Sequence, residues 1–388
     1  MQVVHFSLTP LAGSPIRIVN ALRRHTSWYA RLIVLDPAAY GTRTFEGDLV
    51  WSRDREEAWS CIESADILHL HHYFDLAHNP FELDFTELQR RGKRLIRQFH
   101  SGPFHIAGGQ MSRVTEIIQS PVSQLVVAQY QERYFPNARV VPNLVPLQDD
   151  LYRPLGAPNL TATVKIFFAP SSPHSAWKSG EAIARWENKG SPETAAMLER
   201  LSARNPLVVA DIRRDMPHAE CLRARQAADL SIDDLVTGSF HMSSLEGLAQ
   251  GVPTLAFLDP RTLSVLAEMA GTPTHPWINC RLENAEDQLA SLAAQPELRY
   301  MLGQSARDWM TRYWNDRDLV CHFTDAYAHI LESDGAPFPA RFDPEKLQTW
   351  WQIKARQDLA WHLRRWRHRL AEVGLSRLFS RNSPRHLR

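Results

Sequence analysis

At 388 residues the chain exceeds one ordinary domain and suits two with a remainder. A composition of 44% hydrophobic and 22% charged residues excludes wholesale disorder, and apolar runs no longer than a strand, such as Gln124–Ala128, exclude a membrane-spanning helix. The net charge of +1 conceals an asymmetry: residues 353–388 hold ten Lys/Arg against Asp358 and Glu372, which puts a +8 tail on a body of −7. That pattern points to an anionic partner for the tail and argues against a nucleic-acid-binding body. Met1–Ser7 has no basic segment ahead of its apolar residues, so a cytoplasmic location is expected. Cys61, Cys221, Cys280 and Cys321 lie far apart without a C-x-x-C pair, which suits reduced thiols and offers no zinc or redox framework.

Strand-like runs alternate with helical patterns from the start of the chain. Val3–Phe6 leads through Pro10–Pro15 into an amphipathic stretch, Ile16–Leu22, after which Ala30–Leu35 and Asp66–Leu70 read as strands. Phe81–Arg91 reads as a helix, and Lys93–Phe99, Gln124–Ala128 and Arg139–Val141 as further strands, predicting a parallel-sheet domain over 1–145. Pro146, Pro154, Gly156 and Pro158 break any regular pattern and place a linker at 146–162. The alternation then restarts, with strands at Val164–Ala169, Leu207–Ala210, Leu230–Ile232 and Thr254–Phe257. Helices are predicted over Pro192–Arg204, Ala219–Ala228 and Ser243–Ala249, and from Ala285 to about Leu331. A second parallel-sheet domain over 163–333 and a basic amphipathic tail over 340–388 complete the expected organisation. The fold class is α/β, with two doubly wound, Rossmann-like domains in tandem. Such sheets bind ligands beyond the carboxyl ends of their strands, so the cleft between the domains is the expected site. Neither G-x-G-x-x-G nor a P-loop motif is present, which leaves a nicotinamide enzyme or P-loop ATPase without support.

The segment Ser231–Thr254 reads as strand, glycine turn, helix, glycine stop and strand. Its helix is expected to begin near Met242 or Ser243, where His241, Met242, Ser243 and Ser244 leave backbone amides free to meet a diphosphate, favoured by the positive end of the helix dipole. Glu246, read as lying in the first helical turn, can accept hydrogen bonds from a pair of ribose hydroxyls. Gly251 suits the left-handed position after the helix, with Pro253 preventing its continuation.

Ser244–Pro253 resembles the "E-A-M-A-x-G-x-P" signature of GT-B-fold glycosyltransferases, in the retaining group that includes glycogen-synthase-like and bacterial polysaccharide enzymes. The resemblance makes Glu246 the ribose-binding glutamate. Many such enzymes carry a second glutamate eight positions earlier, on the donor sugar, where this chain has Gly238. Pro170–Gly180 is similar to the family's "P-S-x-R-x-x-K-G" loop, which implies that Ser171, His174 and Lys178 bind the donor, with His174, Arg213 or Arg214 replacing the unmatched arginine. Gln98–Gly102 resembles the strand followed by "H-G", implying that His100 approaches the donor sugar as the catalytic candidate. Gly13 and Ser14 match the loop after the first strand, whose amides reach the diphosphate, and Val141-Pro142-Asn143 resembles the "I-P-N" that closes the first domain.

By this resemblance the chain moves a sugar from a nucleotide-sugar donor to a saccharide or lipid-linked acceptor, with retention of anomeric configuration. Leaving-group charge would be met by Lys178 and the helix N-terminus, so no metal and no cofactor are expected. Of the cluster His69, His71 and His72, His69 and His71 alternate along a strand end without an accompanying carboxylate pattern, so no metal site is expected. Asp233 and Asp234 read as turn-initiating carboxylates. In the tail, Leu359, Leu363, Trp366, Leu370 and Val373 form a helical stripe that either packs on the body or docks on an anionic membrane surface. Two further functions stay open: a GT-B nucleotide-sugar epimerase, and a nucleotide-sugar-binding scaffold without turnover.

Overall fold

Short β-branched and aliphatic runs, most of them buried on both faces, build two wholly parallel sheets. The computed structural model describes residues 1–39, 41, 43–107, 111–129, 131–156, 163–170 and 189–341. The first sheet has seven strands in the order β3-β2-β1-β4-β5-β6-β7. These are β1 Gln2–Ser7, β2 Tyr29–Val34, β3 Leu49–Val50, β4 Ile67–Leu70, β5 Arg94–Phe99, β6 Ser123–Val127 and β7 Ala138–Val141. The second has five, ordered β12-β11-β10-β8-β9, from β8 Val164–Phe168, β9 Val208–Ile212, β10 Leu230–Ile232, β11 Thr254–Ala256 and β12 Ile278–Asn279. The α/β class with two Rossmann-like sheets is therefore as the sequence predicts. The edge strands β3 and β12 are additions, since two residues are too few to carry a legible period.

Alternation along β1 shows how the first sheet is covered on both faces. Val4 and Phe6 point into an apolar cluster with Phe81 and Phe85, while Val3 faces a second cluster with Ile16, Val19 and Leu22 of the helix Ser14–His25. That second cluster continues through Leu144, Val145 and Leu147 to Phe240, Leu245 and Trp314, so one core runs from the first sheet into the helices of the second. Trp314 is fully buried, donates its Nε1–H to the Asn143 carbonyl at 3.0 Å, and packs edge-on to Phe240. The helix Cys321–Glu332 packs back on β5 and β7 of the first sheet. The helix expected over Phe81–Arg91 is confined to Phe85–Arg90, because Asp84 caps it by accepting from the Glu87 amide at 2.9 Å.

Met1–Pro339 forms one compact unit. The tail, from residue 342 onward, lies outside the described residues, as do 157–162 of the expected linker. Among the described residues no helix is long and apolar enough to cross a membrane.

The helix Pro296–Tyr313 crosses closely against the end of the helix Met242–Ala249. Gly251 sits there at φ +70°, the left-handed position predicted for it, and a methyl on Gly303 would meet the Gly251 carbonyl oxygen at 2.1 Å. Gly303→Ala is therefore expected to lower stability by about 1–3 kcal/mol, read as a reduced urea midpoint with an unchanged slope.

Candidate functional site

The carboxyl ends of strands from both sheets open onto a cleft with a cavity volume of about 310 Å³, as expected where open α/β sheets bind ligands. From the first sheet it receives Ser14, His100 and Asn143; from the second, Asp233, His241, Met242, Ser243 and Glu246. Arg43, Lys189, Arg213, Arg214 and Arg225 give its wall a positive character.

The second-sheet side is shaped by two aspartates at the end of β10. Asp234 accepts from the amides of Val236 and Thr237 at 2.8 and 2.9 Å, a turn of the kind predicted for it. Asp233 accepts from the His241 amide at 2.6 Å and so delivers the chain to the start of the helix Met242–Ala249. Burial opposes the charge on Asp233, but the neighbouring His241 holds its carboxyl below the usual range. No side chain caps this helix, and its first intrahelical partners are the amides of Ser244 and Leu245, both donating to the His241 carbonyl. The amides of Met242 and Ser243 lie ahead of that ladder, at the positive end of the dipole. Ser244 is buried, with its hydroxyl turned back to the His241 carbonyl at 3.0 Å.

Glu246 is the fifth residue of this helix rather than part of its first turn, because the helix starts at Met242 and the fifth position opens the second turn. Its side chain is 4% exposed and held by two arginines and a histidine. Arg17, from the first helix, donates to Oε1 at 2.6 Å; His218 lies 2.8 Å from the same oxygen; Arg225 donates to Oε2 at 2.7 Å. Burial pushes toward the neutral acid, yet His218, Arg225 and Arg17 together hold the carboxyl well below its ordinary range. Arg225 is itself buried, with its guanidinium 5.0 Å from the Phe167 ring centroid, and Arg17 also donates to the Tyr152 hydroxyl at 3.0 Å.

On the first-sheet side, Gly13 adopts φ +76° after a turn in which Leu11 and Ala12 are also left-handed. Its amide donates to the Pro10 carbonyl at 2.9 Å, and it borders a neighbouring cavity rather than the cleft itself. Ser14 lines the cleft and donates to Asn143 Oδ1 at 3.2 Å. His100 follows β5, with its Nε2 3.0 Å from His71 Nδ1, and burial lowers its pKa to about 3. Ser171, His174 and Lys178 lie outside the described residues.

Gly238 lies eight residues before Glu246, where the sequence resemblance leads one to expect a glutamate. It has φ +78°, its carbonyl accepts from the Asp259 amide at 3.0 Å, and a β-carbon there would meet Asp259 Cβ at 2.9 Å. Asp259 in turn accepts from Arg133 at 3.1 Å and caps the helix Pro260–Ala270.

Arg17, His218 and Arg225 are functional candidates that sequence reasoning missed. Arg17 had one signal, a lone charge among Ile16, Ile18 and Val19 just after the Gly13 loop. Arg225 had none, since its helix carries no clear apolar stripe and many arginines.

No protein-family model and no curated protein matches the chain. Solved structures do match in architecture. Sucrose-phosphate synthase from Thermosynechococcus elongatus superposes with a TM-score of 0.53 at 14% identity, over 86% of this chain and 100% of that one. Anabaena HepE, solved with UDP and glucose, gives 0.56 at 9% identity, over 84% and 99%. An alpha-glucosyltransferase solved with UDP and a DNA 13-mer gives 0.52 at 10% identity, over 84% and 99%. The fold is that of GT-B glycosyltransferases.

The depressed pKa of Glu246 carries a signed expectation. A carboxylate stabilised in the folded state contributes fully above its unfolded pKa and loses that contribution as pH falls toward its folded value. Glu246→Gln should cost about 3 kcal/mol at roughly pH 6, because it leaves buried arginines uncompensated. Urea melts of both proteins should show this gap narrowing as pH is lowered through the range below about 4.5.

Proposed function

We propose that the cleft binds a nucleoside diphosphate sugar and transfers its glycosyl group to a saccharide or lipid-linked acceptor. The observation that carries this reading is the uncapped start of the helix Met242–Ala249, with Glu246 one turn in and His100 lining the same cleft from the other sheet. A diphosphate would lie against the amides of Met242 and Ser243, with Arg213 and Arg214 beside it. The ribose diol would reach Glu246 Oε1 by exchanging with His218 or Arg17, the two groups now on that oxygen. UDP in the structures of HepE and the alpha-glucosyltransferase supports a uridine donor.

Chemistry in such a site depends on charge that builds on the leaving diphosphate as the anomeric bond breaks. Preorganised donors around that oxygen stabilise the transition state more than the ground state. His100, which lines the cleft, would hydrogen-bond the sugar. Retention follows only from the resemblance in the Ser244–Pro253 segment.

Arg213 is the informative substitution, because its side chain is 46% exposed and its loss leaves the core intact. Arg213→Ala should weaken UDP binding by about 1.5–3 kcal/mol, roughly 10- to 150-fold, in titration calorimetry. Unchanged affinity would remove Arg213 from the donor site, and the absence of binding by UDP, GDP and ADP alike would reject the reading. Gly238 favours a second reading, binding without turnover, because no side chain meets the sugar there. Hydrolysis of a UDP-sugar in the absence of acceptor would decide for the enzyme.

The basic stripe of the tail fits an anionic lipid surface, where a lipid-linked acceptor would reside. Truncation after Arg341, which keeps the buried Phe338, should abolish co-sedimentation with vesicles containing anionic lipid. Equal sedimentation of the full and truncated chains would assign the tail to the body.

A further inference from the structure

Period-2 alternation places four histidines on one face of the first sheet. His5 on β1 is in register with His69 on β4, His71 lies two residues beyond His69, and His100 lies two beyond Gln98 on β5. His5 and His69 are fully buried and His71 almost so, and Tyr327 of the helix Cys321–Glu332 covers them. Their ring nitrogens form a continuous chain. Tyr327 Oη lies 3.3 Å from His5 Nε2, His5 Nδ1 lies 2.8 Å from His71 Nε2, and His71 Nδ1 lies 3.0 Å from His100 Nε2. The far end branches, with His69 Nδ1 2.8 Å from the same tyrosine oxygen. His100, at the near end, lines the cleft.

A row of N···N hydrogen bonds between neutral imidazoles has two polarities only, since each bond needs one protonated and one bare nitrogen. Burial keeps the rings neutral: His5 is lowered to about 3, and His69 and His71 well below their ordinary value. The groups acting on these rings are one another, His72, Gln98 and, on His5, Arg23. His69 Nε2 makes no hydrogen bond of good geometry, but the buried Gln98 amide, whose oxygen and nitrogen are likewise unpartnered, acts on the same ring, so this end of the chain selects the polarity. With its N–H turned toward a bare Nε2, the Gln98 amide leaves the proton of His69 on Nδ1, donating to Tyr327. The tyrosine hydroxyl then donates to His5 Nε2, His5 Nδ1–H to His71 Nε2, and His71 Nδ1–H to His100 Nε2. The remaining proton of His100 is on Nδ1.

We propose that Tyr327, His5 and His71 are positioning residues that fix the tautomer of His100, so that it meets the cleft as a neutral Nδ1–H donor. Its functional meaning, a fixed hydrogen-bond donor toward the sugar or the leaving oxygen, rests on the glycosyl-transfer reading. The tautomer itself does not.

His5, His69 and His71 also bring one nitrogen each within 4.8 Å, close enough for a metal ion. An ion there would break the His5–His71 bond and carry two charges into a site whose neighbours include no carboxylate among the groups acting on the rings, which is why the hydrogen-bonded chain is preferred.

Nitrogen-15 NMR of the side chains in the unmodified protein tests the proposal without reference to activity. His100 is expected with Nδ1 protonated and Nε2 bare, and with a scalar coupling to His71 Nδ1 across the hydrogen bond. A proton on His100 Nε2, a missing coupling, or resonances that move when zinc is added at one equivalent would overturn it. His71→Phe should release His100 into a mixture of tautomers. It should also lower kcat by roughly 10- to 100-fold while UDP affinity stays within about twofold. His71→Gln, whose amide can still donate to His100 Nε2, should retain the Nδ1–H form and more of the rate. An unaltered His100 spectrum in His71→Phe would also refute the proposal. If that variant does not fold, the coupling in the unmodified chain decides the matter. If UDP does not bind at all, the glycosyl-transfer reading fails while the spectrum still decides the tautomer.

Discussion

A carboxylate buried between two arginines and a histidine organises the centre of this molecule. Taking Glu246 and its arginines out of water costs several kcal/mol per ion, and only close, multiple hydrogen bonds offset such a cost. Each partner comes from a different place: Arg17 from the helix after β1, His218 from the start of the helix His218–Gln226, and Arg225 from that helix's last turn. The ion cluster therefore fixes where the first helix stands relative to the second sheet, more than it adds net stability. In the donor-binding reading it also leaves a carboxylate that stays ionised while buried, as an acceptor for hydroxyls must.

The same economy governs the loop between β10 and the Glu246 helix. Asp233 and Asp234 spend their oxygens on backbone amides, so a nine-residue connection needs no apolar packing of its own to hold its shape. Gly238 lets Asp259 close in behind this loop, and Asp259 reaches Arg133 on the first-sheet side, while Glu132 and Arg261 pair in the opposite sense. Two reciprocal ion pairs thus join the first-sheet and second-sheet sides beside Gly238.

Most of the architecture was legible because parallel sheets buried on both faces write themselves as apolar runs at regular intervals. Ten of the strands announce themselves that way, whereas Leu49–Val50 and Ile278–Asn279 form only because a neighbouring strand offers an edge. At the cleft, Ser14, His100, His241 and Glu246 were readable from turns and helix starts, which are local events. Arg17 and Arg225 were not, since their role arises from a meeting of segments about 20 to 230 residues apart and leaves no local trace. The histidine chain was half visible: the alternation of His69 and His71 shows in the sequence, but the contribution of His5, His100 and Tyr327 depends on strand order and on the return of the last helix.

The central claim is that a nucleotide diphosphate rests on the start of the Met242–Ala249 helix with its pentose on Glu246. A crystal structure of the full chain with UDP tests it most directly. The account predicts phosphate oxygens within hydrogen-bond distance of the Met242 and Ser243 amides and ribose hydroxyls on Glu246 in place of His218 or Arg17. Density for UDP elsewhere, with the Glu246 cluster undisturbed, would contradict it.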